Sequence, residues 1–225
     1  SEAINEAFRK GIPAPLGSVG GNTTPSRLGS RYSESVFKET FNWKPADRKP
    51  QDIKWIVMHT TEISTLEASR RVLSGFNDKT GEFMDRKVSA HYLVGPQGEI
   101  YNMVADTDIS WHAGKTGDGR VYGSNSIGIE VVGYAAEPST WNEKNINALT
   151  GLIKYLTETY NIPLVYEGLR PNAAFDGSPP TGEQRNLSSG LISHSRSTLE
   201  GRRYDPGIYF PYEKIFSAIN ETDVT

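Results

Sequence analysis

Ile146, Leu149, Ile153, Leu156 and Tyr160 recur at helical spacing, so a helix drawn through them carries one continuous apolar stripe. Such a stripe is stable only when it is laid on a second layer of structure. Thr140-Trp141-Asn142-Glu143 just before it has the form of a capping box and marks its start. The second layer is supplied by short β-prone runs. Ile53 to Met58 ends at His59, Ile127 to Val132 reads as a buried strand, and Leu191 to His194 is a further short run. His91 to Val94 and Glu99 to Val104 flank Gly95-Pro96-Gln97-Gly98, which is a hairpin signal. Ser64-Thr65-Leu66-Glu67 has the form of a capping box opening a helix to about Phe76, and a short helix is expected around Glu213 to Ile219.

Strands and helices therefore alternate irregularly, with at least one hairpin and no internal repeat. The expected fold is α/β: a single domain with a central mixed β-sheet flanked by helices. In a chain of 225 residues, one domain with appendages is the natural division. Residues 1–50 are rich in Gly and Pro with little periodicity and read as an extended N-terminal arm; residues 51–220 form the folded body. Residues 166–190, which include Ser178-Pro179-Pro180, read as a long irregular loop, a place where function often resides.

Charge and composition narrow the chemistry. Twenty-four basic against twenty-seven acidic side chains leave a net charge of −3, the wrong sign for a binder of nucleic-acid backbones. No run reaches the length of a membrane-spanning helix. The first residue is Ser1 and no signal-type apolar core follows, which is compatible with an export signal removed upstream. The absence of Cys excludes disulfides, thiolate zinc sites and a Cys nucleophile, so any metal is held by His, Asp or Glu.

The four His are His59, His91, His112 and His194. A catalytic zinc takes three protein ligands and keeps a fourth position open, and His with Asp is an acceptable set. His59 and His194 both end β-prone runs, which puts them on one rim of a sheet if those strands are neighbours. Asp205 would complete a set, although Asp205-Pro206-Gly207 also reads as a plain turn. Spacing alone leaves the metal site and ordinary structural roles both open. A Ser-His-Asp hydrolase built from Ser193 or Ser195 with His194 fails, because adjacent strand residues point to opposite faces and no Gly-x-Ser-x-Gly elbow is present. Glu130 sits inside the apolar run Ile127-Gly128-Ile129-Glu130-Val131-Val132. An acid there costs desolvation energy unless it has partners or a task.

Five blocks in order resemble the type 2 N-acetylmuramoyl-L-alanine amidases, a family that includes phage amidases, bacterial recycling amidases and animal peptidoglycan recognition proteins. They are Trp55-Ile56-Val57-Met58-His59, Ser89-Ala90-His91-Tyr92, Trp111-His112-Ala113-Gly114, Ser126-Ile127-Gly128-Ile129-Glu130 and Arg202-Arg203-Tyr204-Asp205-Pro206-Gly207, spread over about residues 53–212. The resemblance implies a zinc hydrolase that cuts the amide between the lactyl group of N-acetylmuramic acid and L-alanine of the peptidoglycan stem. It makes His59, His194 and Asp205 the Zn2+ ligands and places Glu130 as the acid–base group. His112 and Trp111 fall at the substrate groove, and His91 is read as structural.

Two positions depart from the family pattern. Arg203 stands where recycling-type members usually carry Lys; it keeps a cation for an oxyanion but cannot donate a proton. Ala90 stands where animal and phage members often have Tyr. The implied partner is peptidoglycan or soluble muropeptides, and the implied location is the periplasm or the cell exterior, with any targeting left to the arm, the 166–190 loop or a removed anchor. A competing reading is a non-catalytic peptidoglycan-binding module. Members of that kind typically lose a ligand, and here all three ligand positions are filled.

Overall fold

The computed structural model describes residues 42–77, 79–80, 82, 84, 88–114, 120–168, 187–198 and 203–222. A six-stranded mixed sheet forms the centre, in the order β4-β3-β6-β2-β8-β7. Its strands are β2 (Trp55–Thr60), β3 (Tyr92–Val94), β4 (Ile100–Asn102), β6 (Ser126–Val131), β7 (Tyr166–Glu167) and β8 (Gly190–Ser193). All neighbours pair in parallel except β3 with β4, the expected hairpin. Two short strands, β1 (Trp43–Lys44) and β5 (Ile109–Ser110), pair separately. The helices are α1 (Leu66–Leu73), α2 (Glu143–Tyr160), the single turn α3 (His194–Ser197) and α4 (Tyr212–Thr222).

Alternation along the strands divides the molecule. Ile56, Met58, Tyr92, Val94, Ile127, Ile129, Val131 and Leu191 point to one face and meet Leu149, Leu152, Ile153 and Leu156 of α2 with Ile215 and Ile219 of α4. Trp55, Val57 and Ile192 point the other way and pack with Ala113 and Tyr122. Both faces of the sheet are thus covered, which is why the central strands read as unbroken apolar runs rather than alternating ones.

Both helix starts lie further along than the capping-box patterns suggest. The N-cap of α1 is Thr65, whose side chain accepts from Ala68 N–H, and the helix ends at Leu73. For α2 the cap is Asn142, and the box closes with Asn145 rather than Glu143. Thr140 is occupied elsewhere: its hydroxyl donates to Tyr134 O at 2.8 Å and accepts from Tyr134 N–H at 2.9 Å. A local competitor for the side chain displaced the cap.

The extended-arm reading meets the structure at residues 42–50, and residues 1–41 lie outside the described residues. Asn42 donates to Val88 O, and β1 pairs with β5. Arg48 is buried and donates to Asp106 O, Ser124 O and Ser126 O. Of the expected 166–190 loop, Tyr166–Glu167 is a strand and residues 169–186 lie outside the described set.

His91 has a structural setting, as expected. Its Nδ1 accepts from Gly128 N–H at 3.0 Å, its Nε2 lies 3.0 Å from Asp108 O, and Arg48 is 3.0 Å from the same nitrogen. Burial, reinforced by the Arg48 charge, pushes His91 down to about 3 from 6.5. Between those values the unfolded chain holds one more proton than the folded one, so the stability that neutral His91 brings is present above pH 6.5 and is lost as pH falls toward 3. The loss is about tenfold in the folding equilibrium per pH unit. Urea unfolding of the wild type and His91→Asn should show a stability difference that narrows as the pH is lowered from 6.5 to 4.5; a difference that does not change with pH would contradict the assignment.

Candidate metal centre

β2 pairs with β6 so that His59 lies opposite Glu130, and it pairs with β8 as far as Met58 opposite Ser193, which brings His194 to the next position beside His59. In parallel strands, side chains on one rung share a face. Glu130, His59 and His194 therefore stand abreast at the carboxyl ends of three adjacent strands, where ligand sites of open α/β sheets form. Ser193 caps α3 by accepting from Arg196 N–H, and this turns the chain immediately after the strand.

Asp205 reaches the same point from the loop after α3. Its carbonyl accepts from Ser195 N–H at 3.1 Å. Gly207, with φ +85°, allows the loop to close over Ala135: a Cβ there would lie 2.3 Å from Ala135 O. Glu62 ties the same region from a third side. It accepts from Thr60 Oγ1 at 2.7 Å, from Ala135 N–H at 2.8 Å and from Tyr204 OH at 3.3 Å. Sequence reasoning did not single out Glu62, because nothing local marks a residue whose partners lie 73 and 142 positions away.

His59 Nδ1, His194 Nδ1 and Asp205 Oδ2 form a closed triangle with sides of 3.0, 3.1 and 3.0 Å, all three residues being buried. With Asp205 ionised, protons alone cannot satisfy it. If both nitrogens carry hydrogen, two donors face each other; if one does, the bare nitrogen meets the carboxylate lone pair to lone pair. A cation at the centre satisfies all three, and two imidazoles with one carboxylate are a donor set for such an ion. Burial pushes His59 down to about 4, with His194 and Arg203 acting in the same direction and Asp205 opposing. Burial would raise Asp205, but the adjacent His194 and His59 hold it below the usual carboxylate range. Neutral imidazole and ionised carboxylate are the metal-binding forms.

Glu130 completes the centre. One carboxylate oxygen is 3.9 Å from His59 Nδ1, while the other is buried without a hydrogen-bond partner among the described residues. Burial pushes Glu130 well above the ordinary glutamate range, Asp205 and Glu62 add to this, and Arg203 opposes them. Arg203 is itself exposed, with its charge felt at Glu130 and His59. Trp111 is half-buried, its backbone tied to Ser89. His112 is buried, with Nδ1 3.0 Å from His59 Nε2 and Nε2 2.9 Å from Ser126 Oγ.

Residues 49–208 match the family model described as N-acetylmuramoyl-L-alanine amidase. The chain is 28% identical over 169 residues to N-acetylmuramoyl-L-alanine amidase A of Achromobacter lyticus, covering 73% of this chain and 82% of that protein. Among solved structures it is similar to a selenomethionine derivative of AmpD, with a TM-score of 0.57 and 20% identity over 80% of this chain and 90% of the other. That likeness concerns the fold.

Removing one corner of the triangle tests the centre directly. His194→Ala should bind added divalent zinc roughly 10²-fold or more weakly in a chelator competition, since one of the ligands is gone, while far-UV circular dichroism stays that of the folded protein. Undiminished zinc binding by this variant would remove His194 from the ligand set.

Proposed function

The chain belongs to the N-acetylmuramoyl-L-alanine amidase family, and on that premise we propose that it is a zinc-dependent hydrolase acting on the amide between the lactyl group of N-acetylmuramic acid and L-alanine of the peptidoglycan stem. The observation that carries this reading is the closed His59–His194–Asp205 triangle beside a Glu130 oxygen that has no hydrogen-bond partner among the described residues. The triangle fits zinc by size as well as by donor type: bonds of about 2.0–2.1 Å in a tetrahedral site give edges of about 3.3 Å, close to the distances found. Zinc held there would polarise a carbonyl and acidify water at neutral pH.

The chain's own groups divide the remaining work. Glu130, with its raised proton affinity, is the base that takes the proton from the attacking water. As the carbon–oxygen bond forms and the carbon–nitrogen bond breaks, the same proton passes to the departing L-alanine amine; the lactyl carboxylic acid formed gives up the water's second proton, leaving a carboxylate and an ammonium group at neutral pH. Arg203 contributes positive charge toward the tetrahedral oxyanion; as a guanidinium it acts by charge and hydrogen bonding rather than by proton transfer. Trp111 is assigned to contact with the muropeptide. The substrate is the bacterial wall polymer or its soluble fragments, so the place of action is the periplasm or the cell exterior.

Incubation of the zinc-loaded protein with sacculi and with soluble muropeptides should release stem peptides beginning with L-alanine, identified by mass spectrometry and absent from a chelated sample. No release from either substrate would overturn the hydrolase and leave a binding module. Glu130→Gln should retain zinc and lose roughly 10²- to 10⁴-fold in turnover with little change in KM; unchanged turnover would take Glu130 out of the mechanism.

A further inference from the structure

Each imidazole has two nitrogens, and His59 turns Nδ1 toward the triangle while Nε2 faces away into the protein. Which nitrogen holds the proton decides whether Nδ1 has a lone pair to offer. The hydrogen bonds behind His59 fix that choice. Ser126 has one hydroxyl proton, and it is donated to the carbonyl of Tyr122. The 2.9 Å contact between Ser126 Oγ and His112 Nε2 must then be donated by the ring, so His112 carries its proton on Nε2 and its Nδ1 is an acceptor. The 3.0 Å contact between His112 Nδ1 and His59 Nε2 must in turn be donated by His59. His59 Nδ1 is left bare and aimed at His194 and Asp205.

The seat of His112 is built into β6. A Cβ at Gly128 would lie 2.4 Å from His112 Cγ, so the ring lies directly on the strand backbone at a position that only glycine leaves open. On the same residue, Gly128 N–H donates to His91 Nδ1. The ring is buried.

We propose that His112, seated on Gly128 and oriented by Ser126, is a positioning residue that fixes the Nε2–H tautomer and direction of His59 and so raises zinc affinity, rather than a residue that contacts the wall substrate. This inference rests on the zinc reading given above. Outer partners of ligating histidines typically change metal affinity by 10- to 100-fold, and the Ser126–His112–His59 chain supplies that partner from two strands and the intervening loop.

The test is zinc affinity of the full chain, measured by chelator competition, together with the histidine ring nitrogen shifts of the ¹⁵N-labelled, metal-free protein. In the unsubstituted protein both His59 and His112 should be Nε2–H tautomers; an Nδ1–H tautomer at either would overturn the inference without any variant having to fold. His112→Phe, which keeps a ring but no acceptor, should weaken zinc roughly 10- to 100-fold. His112→Asn, whose amide oxygen can accept from His59 Nε2–H, should recover part of the loss. Ser126→Ala should weaken zinc less, and it should add nothing on top of His112→Phe because the two act through one chain. A folded His112→Phe protein that binds zinc like the wild type would overturn the proposal while leaving the zinc site standing. Failure of the wild type to bind zinc would instead overturn the zinc reading, and this inference with it.

Discussion

Parallel pairing of β2 with both β6 and β8 is the constraint on which the rest of the centre depends. It sets Glu130 opposite His59 and delivers His194 to the next position. A slip of one residue in either pairing would send a site residue into the α2 face, because successive side chains alternate. The register is held by the apolar set on that face, where Ile56, Met58, Ile127, Ile129 and Leu191 are all buried under α2 and α4. Packing on one side of the sheet thus fixes the chemistry on the other.

The site face carries an unusual load of buried polar groups, and most of them are satisfied. Arg48 is distributed over three backbone carbonyls, and the His91 and His112 rings use both their nitrogens. Against that background the exceptions are informative. With Asp205 ionised, the triangle of His59, His194 and Asp205 cannot be closed by hydrogen alone, and the neighbouring Glu130 oxygen has no partner among the described residues. Two imidazoles and a carboxylate set this close together are a donor set that a cation would satisfy.

Much of this was legible in the sequence. Five strands of the central sheet, the hairpin and the long helix followed from apolar runs, turn residues and the stripe from Ile146 to Tyr160, because those signals are local; β1, β5 and β7, two residues each, did not. The capping residues of α1 and α2 were misplaced by one or two positions, and Thr140 shows why: its hydroxyl was taken by Tyr134, a contact no capping pattern encodes. The 42–50 segment read as part of an extended arm or wrapping segment because its composition is polar and Pro-containing. Its anchor, Arg48, finds carbonyl partners 58 to 78 residues away.

The sequence by itself determined five strands of the central sheet and three of the helices, the absence of thiolate chemistry, and a set of ligand types at strand ends. Gly128 in the middle of a strand was a signal of close approach that could have been read in advance. The tertiary structure alone decided directions: which nitrogen of His59 faces the triangle, that His112 meets the other nitrogen, and that Glu62 joins three loops around the site. The physical reason is that a side chain's type is written locally, whereas its tautomer and aim are set by single hydrogen-bond partners that the fold brings in from 14 to 146 residues away.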